Sequence, residues 1–405
     1  MDVIVERGCG LDVHKETVVA CIDGGGIKKE IRTYSTFTNE LLQLKEWLKG
    51  KGVTHVAMES TGIYWKPVYN ILEEDFEVVL VNARHIKHVP GRKTDVCDSE
   101  WLCKLLRNGL VKGSFVPERD MRELRDLTRY RKKLVQAISS EKNRVQKVLE
   151  DANVKLSSVV SDTFGVSGSE IVEALLRGEL TPEEMSCLAR GKLRKKKGAL
   201  REALVGKVTK HHVFMIKASQ EHIQSIEKII AGIDGEIEIK LEKYRKEYEL
   251  LQTIPGVKEH GAASILAEIG TDMERFPTED HLSSWAGMSP GNNESAGKKK
   301  VCGTTQGNKS LKTTLTECAW AASRKKDCYL RAKYHSLVGR RGKKRALIAV
   351  GHKILIASYH ILKNGVSYKE LGGDYLDKRR KEKITKSYVK RLASLGYQVT
   401  LSEVA

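Results

Sequence analysis

Residues 8–23 read GCGLDVHKETVVACID, and this stretch decides how the first part of the chain folds. The apolar run from Cys9 to Val13 is interrupted by Asp12, and a second apolar run follows at once, which is typical of two neighbouring strands of a sheet. A carboxylate inside an apolar strand is costly unless it is paired or binds a metal ion. Asp12 is therefore the first candidate for a functional residue.

Strand and helix patterns follow one another in a definite order as far as about Leu110. Three strand patterns come first, and the run Gly24–Gly26 is typical of the turn between the second and the third. Helix and strand patterns then alternate as NELLQLKEWLKG, VTHVAMES, YWKPVYNILEE, FEVVLVN and DSEWLCKLLRN. This is the order of the ribonuclease H-like (RuvC-like) fold, so we predict an α/β domain over residues 1–112.

Three further acids fall on elements that such a fold uses for metal ligands. Glu59 closes the fourth strand, and Asp95 and Asp98 open a helix at the spacing i and i+3, on one face. Carboxylates that hold two divalent ions ~4 Å apart can assist an in-line phosphoryl displacement, and hard oxygen ligands suit Mg²⁺ or Mn²⁺. Each acid also has a structural explanation. Asp95 and Asp98 can be first-turn acids of a helix that Thr94 caps, and Glu59 can be a surface charge at the end of a strand.

Positive charge is concentrated away from this first domain. The chain carries 71 Lys and Arg against 52 Asp and Glu, a net charge of +19. Residues 1–110 contain 15 basic and 16 acidic residues, whereas residues 298–345 contain 15 basic and 2 acidic ones. A concentrated block indicates a polyanionic partner, and a solvated lysine-rich face is the alternative. We therefore expect a nucleic acid as partner.

Several classes of protein are not supported. The longest apolar stretch, residues 346–362, contains two histidines and a lysine, which argues against a membrane span. The eight cysteines form no CxxC pair, and no secretory signal or GxxxxGK[ST] phosphate loop is present. His85 and His88 fit a surface or phosphate-contacting role better than metal ligation. A reduced cytoplasm is the expected compartment.

Residues 113–250 are predicted to form a long helical, coiled-coil region. Residues 119–152 and 216–251 show helical periodicity, the second through a stripe that starts at Ile223. Such helices can pack on their own chain or dimerise, and we expect a dimer that becomes a tetramer on nucleic acid. Between them, residues 190–217 are basic and contain three glycines, which we interpret as a mobile insert that contacts nucleic acid.

A helical domain over residues 251–376 and a basic tail over residues 377–405 complete the predicted organisation. The domain begins with LLQTIPGVKEHGAASILAEIG, which matches a helix-hairpin-helix with Gly256 in its hairpin. Such a hairpin offers backbone N–H groups to phosphates, although an ordinary αα-hairpin can also use Pro-Gly.

Ser295 lies in a glycine- and asparagine-rich loop of the same domain, directly before Gly297 and three lysines. A loop serine is usually a turn or cap residue. It becomes a nucleophile only where a metal ion or a base assists its deprotonation.

Six blocks of the chain are distinctive: GLDVHKE, MESTGIYW, KTDVCDSEWL, LLQTIPGV, WAGMSPGNNESAGK and QGNKSLKTTLTECAWAA. In this order they resemble the DEDD-type insertion-sequence transposases, the family named for insertion sequence one-hundred-and-ten. The resemblance runs from about residue 8 to about residue 376 and implies that the four metal-binding catalytic acids are Asp12, Glu59, Asp95 and Asp98. It also implies that Ser295 is the serine of a carboxy-terminal transposase domain, although Ala296 departs from the Ser-Gly frequent in the family.

The resemblance further implies a recombinase in which the serine attacks a DNA phosphate and becomes covalently joined to it. A structured bridge RNA would pair with donor and target DNA, in the cytoplasm of a bacterium or archaeon, at the nucleoid. The residues expected to contact nucleic acid are Gly256, Lys298, Lys299, Lys300, Lys309 and Lys312. Two alternatives stay open: a metal-dependent, structure-selective nuclease in which water attacks, and a non-catalytic nucleic-acid-binding protein.

Overall fold

A computed structural model describes residues 4–60, 62–82, 95–291, 294–295, 297–299, 303–379 and 381–401. The chain divides into two compact units, Met1–Val116 and Pro117–Ala405. The first contains a mixed sheet with helices and the second is mostly helical, which confirms the α/β plus all-α class. The predicted boundaries at residues 112, 250 and 376 stay predictions.

Five strands of the first unit form one sheet in the order β3-β2-β1-β4-β5. The first three strands pair antiparallel, whereas β4 pairs parallel with β1 and β5 parallel with β4. Gly26, in the turn between β2 and β3, has φ +77°, which explains the glycine predicted there. The strands are β1 Arg7–Val13, β2 Thr17–Gly24, β3 Ile27–Ser35, β4 His55–Glu59 and β5 Glu77–Val81.

Helices cover both faces of this sheet. They are α1 Thr38–Gly50, α2 Trp65–Leu72 and α3 Asp95–Arg107. On one face, the buried side chains of Val56 and Met58 belong to the core that α1 and α2 close. On the other, Ala57 packs with Leu102 and Leu106 of α3. Alternate side chains of β4 therefore pack against the helices on opposite faces of the sheet.

The second unit is built of helices joined by short turns. Its first half contains α4 Arg119–Asp151, α5 Leu156–Val159, α6 Val166–Arg177, α7 Pro182–Cys187, α8 Lys197–Ala203 and α9 Lys210–Leu241. Its second half contains α10 Arg245–Gln252, α11 Glu259–Ile269, α12 Glu279–Trp285, α13 Lys309–Ala322, α14 Tyr329–Arg341, α15 Lys343–Asn364, α16 Tyr375–Arg379 and α17 Lys381–Ser394. Single turns of 3₁₀ helix lie between several of them.

The long helices α4 and α9 pack on each other within one chain. Ile223 and Ile237 of the predicted stripe are buried inside the unit, and Lys243 of the turn that follows α9 pairs with Asp120 of α4 at 2.6 Å. The stripe therefore packs on its own chain, which is one of the two alternatives, and the expected dimer stays a prediction. The second helix also ends at Leu241, where a 3₁₀ turn separates it from α10.

The basic insert is folded rather than mobile. Residues 191–196 form a 3₁₀ helix that leads into α8. Leu200, Leu204 and Ile216 are buried in a core of their own with the end of α4. The glycines of this segment therefore do not prevent a stable packing, because the apolar residues between them supply the contacts that the charged ones cannot.

One described helix, α15, is long and apolar enough to cross a membrane by length and composition alone. It packs against α13 and α14, and its residues Val350, Ile354 and Leu355 are fully buried in the unit. This burial is what a core helix of a folded domain shows, and it agrees with the charged and polar residues that interrupt the apolar stretch.

Candidate active site

Asp12 and Glu59 lie side by side on neighbouring parallel strands. Leu11 of β1 is in register with Met58 of β4, and the two acids are the next residues of those strands. Residues in register on adjacent strands, ~4.8 Å apart, project from the same face. Leu11 and Met58 are buried in the core beneath α1 and α2. The two acids therefore belong to the opposite face, which α3 covers.

Two glycines of β1 let α3 lie directly on that face. A Cβ atom added to Gly10 would come 2.2 Å from the carbonyl oxygen of Ser99, and one added to Gly8 would meet the last turn of α3. The helix thus runs against the direction of β1, so that its first turn comes toward Asp12. Asp98, which is half-buried, belongs to this turn. The fold brings the elements that carry the predicted acids together.

The chemistry of these donors fits a divalent metal ion. Carboxylate oxygens are the ligands that Mg²⁺ and Mn²⁺ prefer, and the Asp12 side chain is only 14% exposed. Among the described residues, however, no three Asp, Glu, His or Cys side chains form a group that could hold a metal ion. The side chain of Asp95 lies outside the described part. The metal site therefore stays a prediction that the backbone placement favours.

His14, a residue without a predicted role, contacts Asp12. Its Nε2 atom lies 3.2 Å from Oδ2 of Asp12, and its backbone N–H donates to the carbonyl of Thr17 in the turn between β1 and β2. Residues i and i+2 of an extended segment share a face, so the spacing of the two residues was an available signal. An imidazole here can orient the carboxylate or exchange a proton.

Two buried thiols of the first unit, those of Cys9 and Cys103, stay protonated at neutral pH. The Cys103 thiol donates to the carbonyl of Gly8 at 3.3 Å, which fastens α3 to β1. Its hydrogen bond to Cys21, together with burial, raises the pKa of Cys103, and burial raises the pKa of Cys9. Neither is a thiolate at neutral pH, so both act as small apolar residues.

Ser295 lies in a short β-hairpin of the second unit rather than in an irregular loop. The strands β6 Glu294–Ser295 and β7 Lys298–Lys299 pair antiparallel, with Ser295 opposite Lys298. Gly297 in the connecting turn has φ +73°, a conformation that glycine adopts without strain. The side chains of this hairpin lie outside the described part, as do Lys300, Thr94, His85 and His88.

Contacts to helix α13 hold the base of this hairpin. Pro290 and Thr304 form an antiparallel bridge. The ammonium group of Lys312 donates to the carbonyl of Gly287 at 3.1 Å and to the Thr304 hydroxyl. Lys312 is thus engaged inside the unit, whereas Lys309 is exposed at the start of α13. Contacts of either lysine with nucleic acid stay predictions.

A buried carboxylate connects the segment that follows the hairpin to α4. Glu268 of α11 accepts two hydrogen bonds from Arg129, at 2.7 and 2.8 Å, and one from Asn308 at 2.6 Å. Asn308 also caps α13 by accepting from the backbone N–H of Leu311. Arg125 lies 3.2 Å from the same carboxylate, and burial lowers its pKa to about 10. The sequence contains no signal for this cluster.

Gly256 occupies the turn between α10 and α11 and packs against α13. Its φ is +86°, and an added Cβ atom would come 2.4 Å from the carbonyl oxygen of Cys318. The structure therefore supplies a steric reason for this glycine. Its predicted contact with phosphates stays a prediction.

Two family models match the chain. One, of the DEDD type and described as a transposase, matches residues 9–154. The other, described as a transposase of the IS116/IS110/IS902 family, matches residues 248–335. No curated protein matches.

These matches, which together span more than half of the 405 residues, place the chain among the DNA transposases. The particular family that they support is the IS110 family of insertion-sequence transposases. The predicted class of enzyme is confirmed at this level.

Proposed function

We propose that this transposase is a DNA recombinase in which four acids hold divalent metal ions and a serine attacks DNA. The acids are Asp12, Glu59, Asp95 and Asp98, and the serine is Ser295. The observation that carries the proposal is the register of β1 and β4, which sets Asp12 beside Glu59 on the face covered by α3. Mg²⁺ or Mn²⁺ bound there would stabilise the charge that develops at the attacked phosphate.

We assign the first unit to the ribonuclease H-like fold. The strand order β3-β2-β1-β4-β5, with three antiparallel strands followed by two parallel ones, supports this assignment. In that fold the first strand, the fourth strand and a later helix carry the metal ligands, and these are the elements of the four acids. We likewise interpret α10, the turn at Gly256 and α11 as a helix-hairpin-helix.

The proposed reaction conserves the energy of the phosphodiester bond. The Ser295 oxygen forms a bond to phosphorus, the bond from phosphorus to one deoxyribose oxygen breaks, and this oxygen leaves as a hydroxyl. The serine loses a proton to solvent or a carboxylate, and the leaving oxygen gains one. Reversal by another DNA end restores the serine, so the exchange needs no ATP.

The proposal includes a structured guide RNA and an oligomer. Exchange between a donor and a target DNA needs several active sites, so we propose a dimer that becomes a tetramer on nucleic acid. Ser295 then reaches the acids of its own or a neighbouring subunit. Sequencing the RNA that copurifies with the protein, together with the DNA that flanks its gene, tests the guide. Absence of any bound RNA and of element boundaries would contradict it.

Trapping a covalent adduct tests the central step. A nicked duplex, incubated with the protein and Mg²⁺, should stall the reaction and leave a protein–DNA adduct that survives denaturation. Ser295→Ala should abolish the adduct while DNA affinity is retained, because the hairpin backbone does not need the hydroxyl.

Ser289→Ala is the matched control. The structure uses the backbone carbonyl of Ser289, which accepts from the N–H of Thr305 at 3.0 Å, and alanine retains that carbonyl. The control should form the adduct at the wild-type rate. An adduct mapped to another residue would overturn the role of Ser295. Products of hydrolysis alone would favour the structure-selective nuclease.

A further inference from the structure

The folded insert forms a helical knob at the far end of α4. We use this name for residues 152–209, which pack with the last turns of α4 and the first turns of α9. Arg129, about a third of the way along α4, contacts Glu268 of α11. From Arg129 to Asp151 the helix rises by roughly 33 Å at 1.5 Å per residue.

The knob carries a row of cations, Lys192 and residues 194–197, which we call the basic strip. All five are exposed. The neighbouring Arg190 and Arg201 are each paired with a carboxylate, Glu170 and Glu183 respectively. Within the described residues, none of the five cations of the strip forms an ion pair. Their side-chain contacts there include the Ala189 and Val159 carbonyls and the Cys187 sulfur.

Five like charges in six residues repel one another, and this repulsion favours an anionic partner. A floppy lysine-rich tail would relieve the repulsion by extending into solvent. The strip cannot do so, because Leu193 is partly buried against the knob core and Leu200 is fully buried in it. The backbone N–H of Arg190 is also held by the Ser167 hydroxyl at 3.0 Å. The charges are thus fixed as a surface.

We propose that the basic strip binds the phosphate backbone of a nucleic-acid duplex. The five fixed cations supply the positive charge that such a backbone attracts, and the packed core beneath them holds them in one row. This contact deepens the proposed function, because the duplex is donor DNA, target DNA or a paired segment of the guide RNA.

Salt-dependent binding of the full-length protein to a DNA duplex and an RNA duplex of ~30 base pairs tests this proposal. Both are measured in EDTA, so that no step depends on catalysis. Each phosphate contact contributes ~0.9 to the slope of log Kd against log salt for duplex DNA. The variant Lys192→Gln, Lys195→Gln, Lys197→Gln should therefore lower the slope by roughly two to three units on the duplex that the knob contacts.

The control changes the net charge equally at lysines that already have carboxylate partners. Lys240, Lys243 and Lys378 pair with Glu123, Asp120 and Asp374. Their triple change to Gln should leave the slope unaltered. A change confined to the RNA duplex would identify guide RNA as the ligand, and one confined to DNA would identify donor or target DNA. An unchanged slope on both duplexes would overturn the proposal even if the Ser295 adduct forms.

Discussion

Arg129 binds the carboxylate of Glu268 through two parallel hydrogen bonds, at 2.7 and 2.8 Å, although 139 residues separate them in the chain. Glu268 is 1% exposed, whereas the Arg129 side chain is 41% exposed. Such a paired geometry is strong and directional. It ties α4 to α11 beside Asn308, the residue that caps α13 after the serine hairpin. The cluster therefore sets the position of three helices at once.

Glu268→Gln should destabilise the second unit. The change leaves Arg129 and the more buried Arg125, whose side chain is 15% exposed, without their counter-charge. Breaking a buried ion pair costs about 3–5 kcal/mol. Because Arg129 is partly exposed, we expect the lower value and a fall in Tm of roughly 6–12 °C, measured by calorimetry. Glu242→Gln is the control, because its ion pair with Arg245 lies at the protein surface, and it should lower the Tm far less. Equal losses in the two variants would contradict the role of the cluster.

Asp12→Asn and Glu59→Gln should each remove strand transfer while the protein stays folded. We expect a loss of more than ~100-fold, the scale on which removing a charge-stabilising group slows catalysis. Both variants should also lose the rise in Tm that Mn²⁺ gives the wild type. Glu77→Gln is the matched control. Glu77 begins the neighbouring strand β5, opposite His55, and so lies at the other end of the strand pair from Glu59, whose register partner is Val81. A variant at Asp12 or Glu59 with wild-type activity would exclude the metal site.

Gly10→Ala tests whether α3 rests on β1. The added Cβ atom would lie 2.2 Å from the Ser99 carbonyl oxygen and 2.5 Å from the Cys103 nitrogen. Backbone atoms cannot yield cheaply, so the first unit should lose at least ~1–3 kcal/mol. Mn²⁺ binding, followed by electron paramagnetic resonance, should weaken as well. Gly50→Ala places its Cβ atom in open space at the end of α1 and should change neither. Normal metal binding in Gly10→Ala would show that α3 does not complete the site.

The pair of long helices should loosen in acid. Hydrogen bonds from Lys243 and Lys240 lower the pKa of Asp120 and of Glu123. A carboxyl whose pKa is lowered by folding stabilises the protein above its unfolded pKa and loses this contribution as the pH falls through the folded value. Asp120→Asn should therefore melt below the wild type at pH ~7, and the difference should shrink as the pH falls below ~4, the ordinary range of an aspartate pKa. Lys243→Gln should show the same convergence, and a constant difference would contradict it.

Most of the first unit could be predicted from the sequence because its signals are local. Alternating apolar residues predicted the five strands and the order of helices between them. Asp12 was recognised because it interrupts such a pattern, Glu59 because it ends one, and Asp95 and Asp98 because they open a helix. His14 was not predicted, although it lies two residues after Asp12 and residues at that spacing share one face of a strand. The path of α3 could not be predicted, because Gly8 and Gly10 matter only through their contacts with residues 99–107, far along the chain.

In the second unit, too, some features could be predicted from the sequence and others could not. The sequence by itself determined the two long helices, the glycine turns at Gly256 and Gly297, and the concentration of positive charge, since propensity, turn conformation and charge belong to single residues and their neighbours. Only the tertiary structure decided that the isoleucine stripe is covered by α4, that the basic insert is a packed knob, and that Glu268 joins three helices. An apolar stripe or a buried charge shows in the sequence that a partner is needed. Which partner it packs against depends on the shapes of surfaces that are distant in the chain.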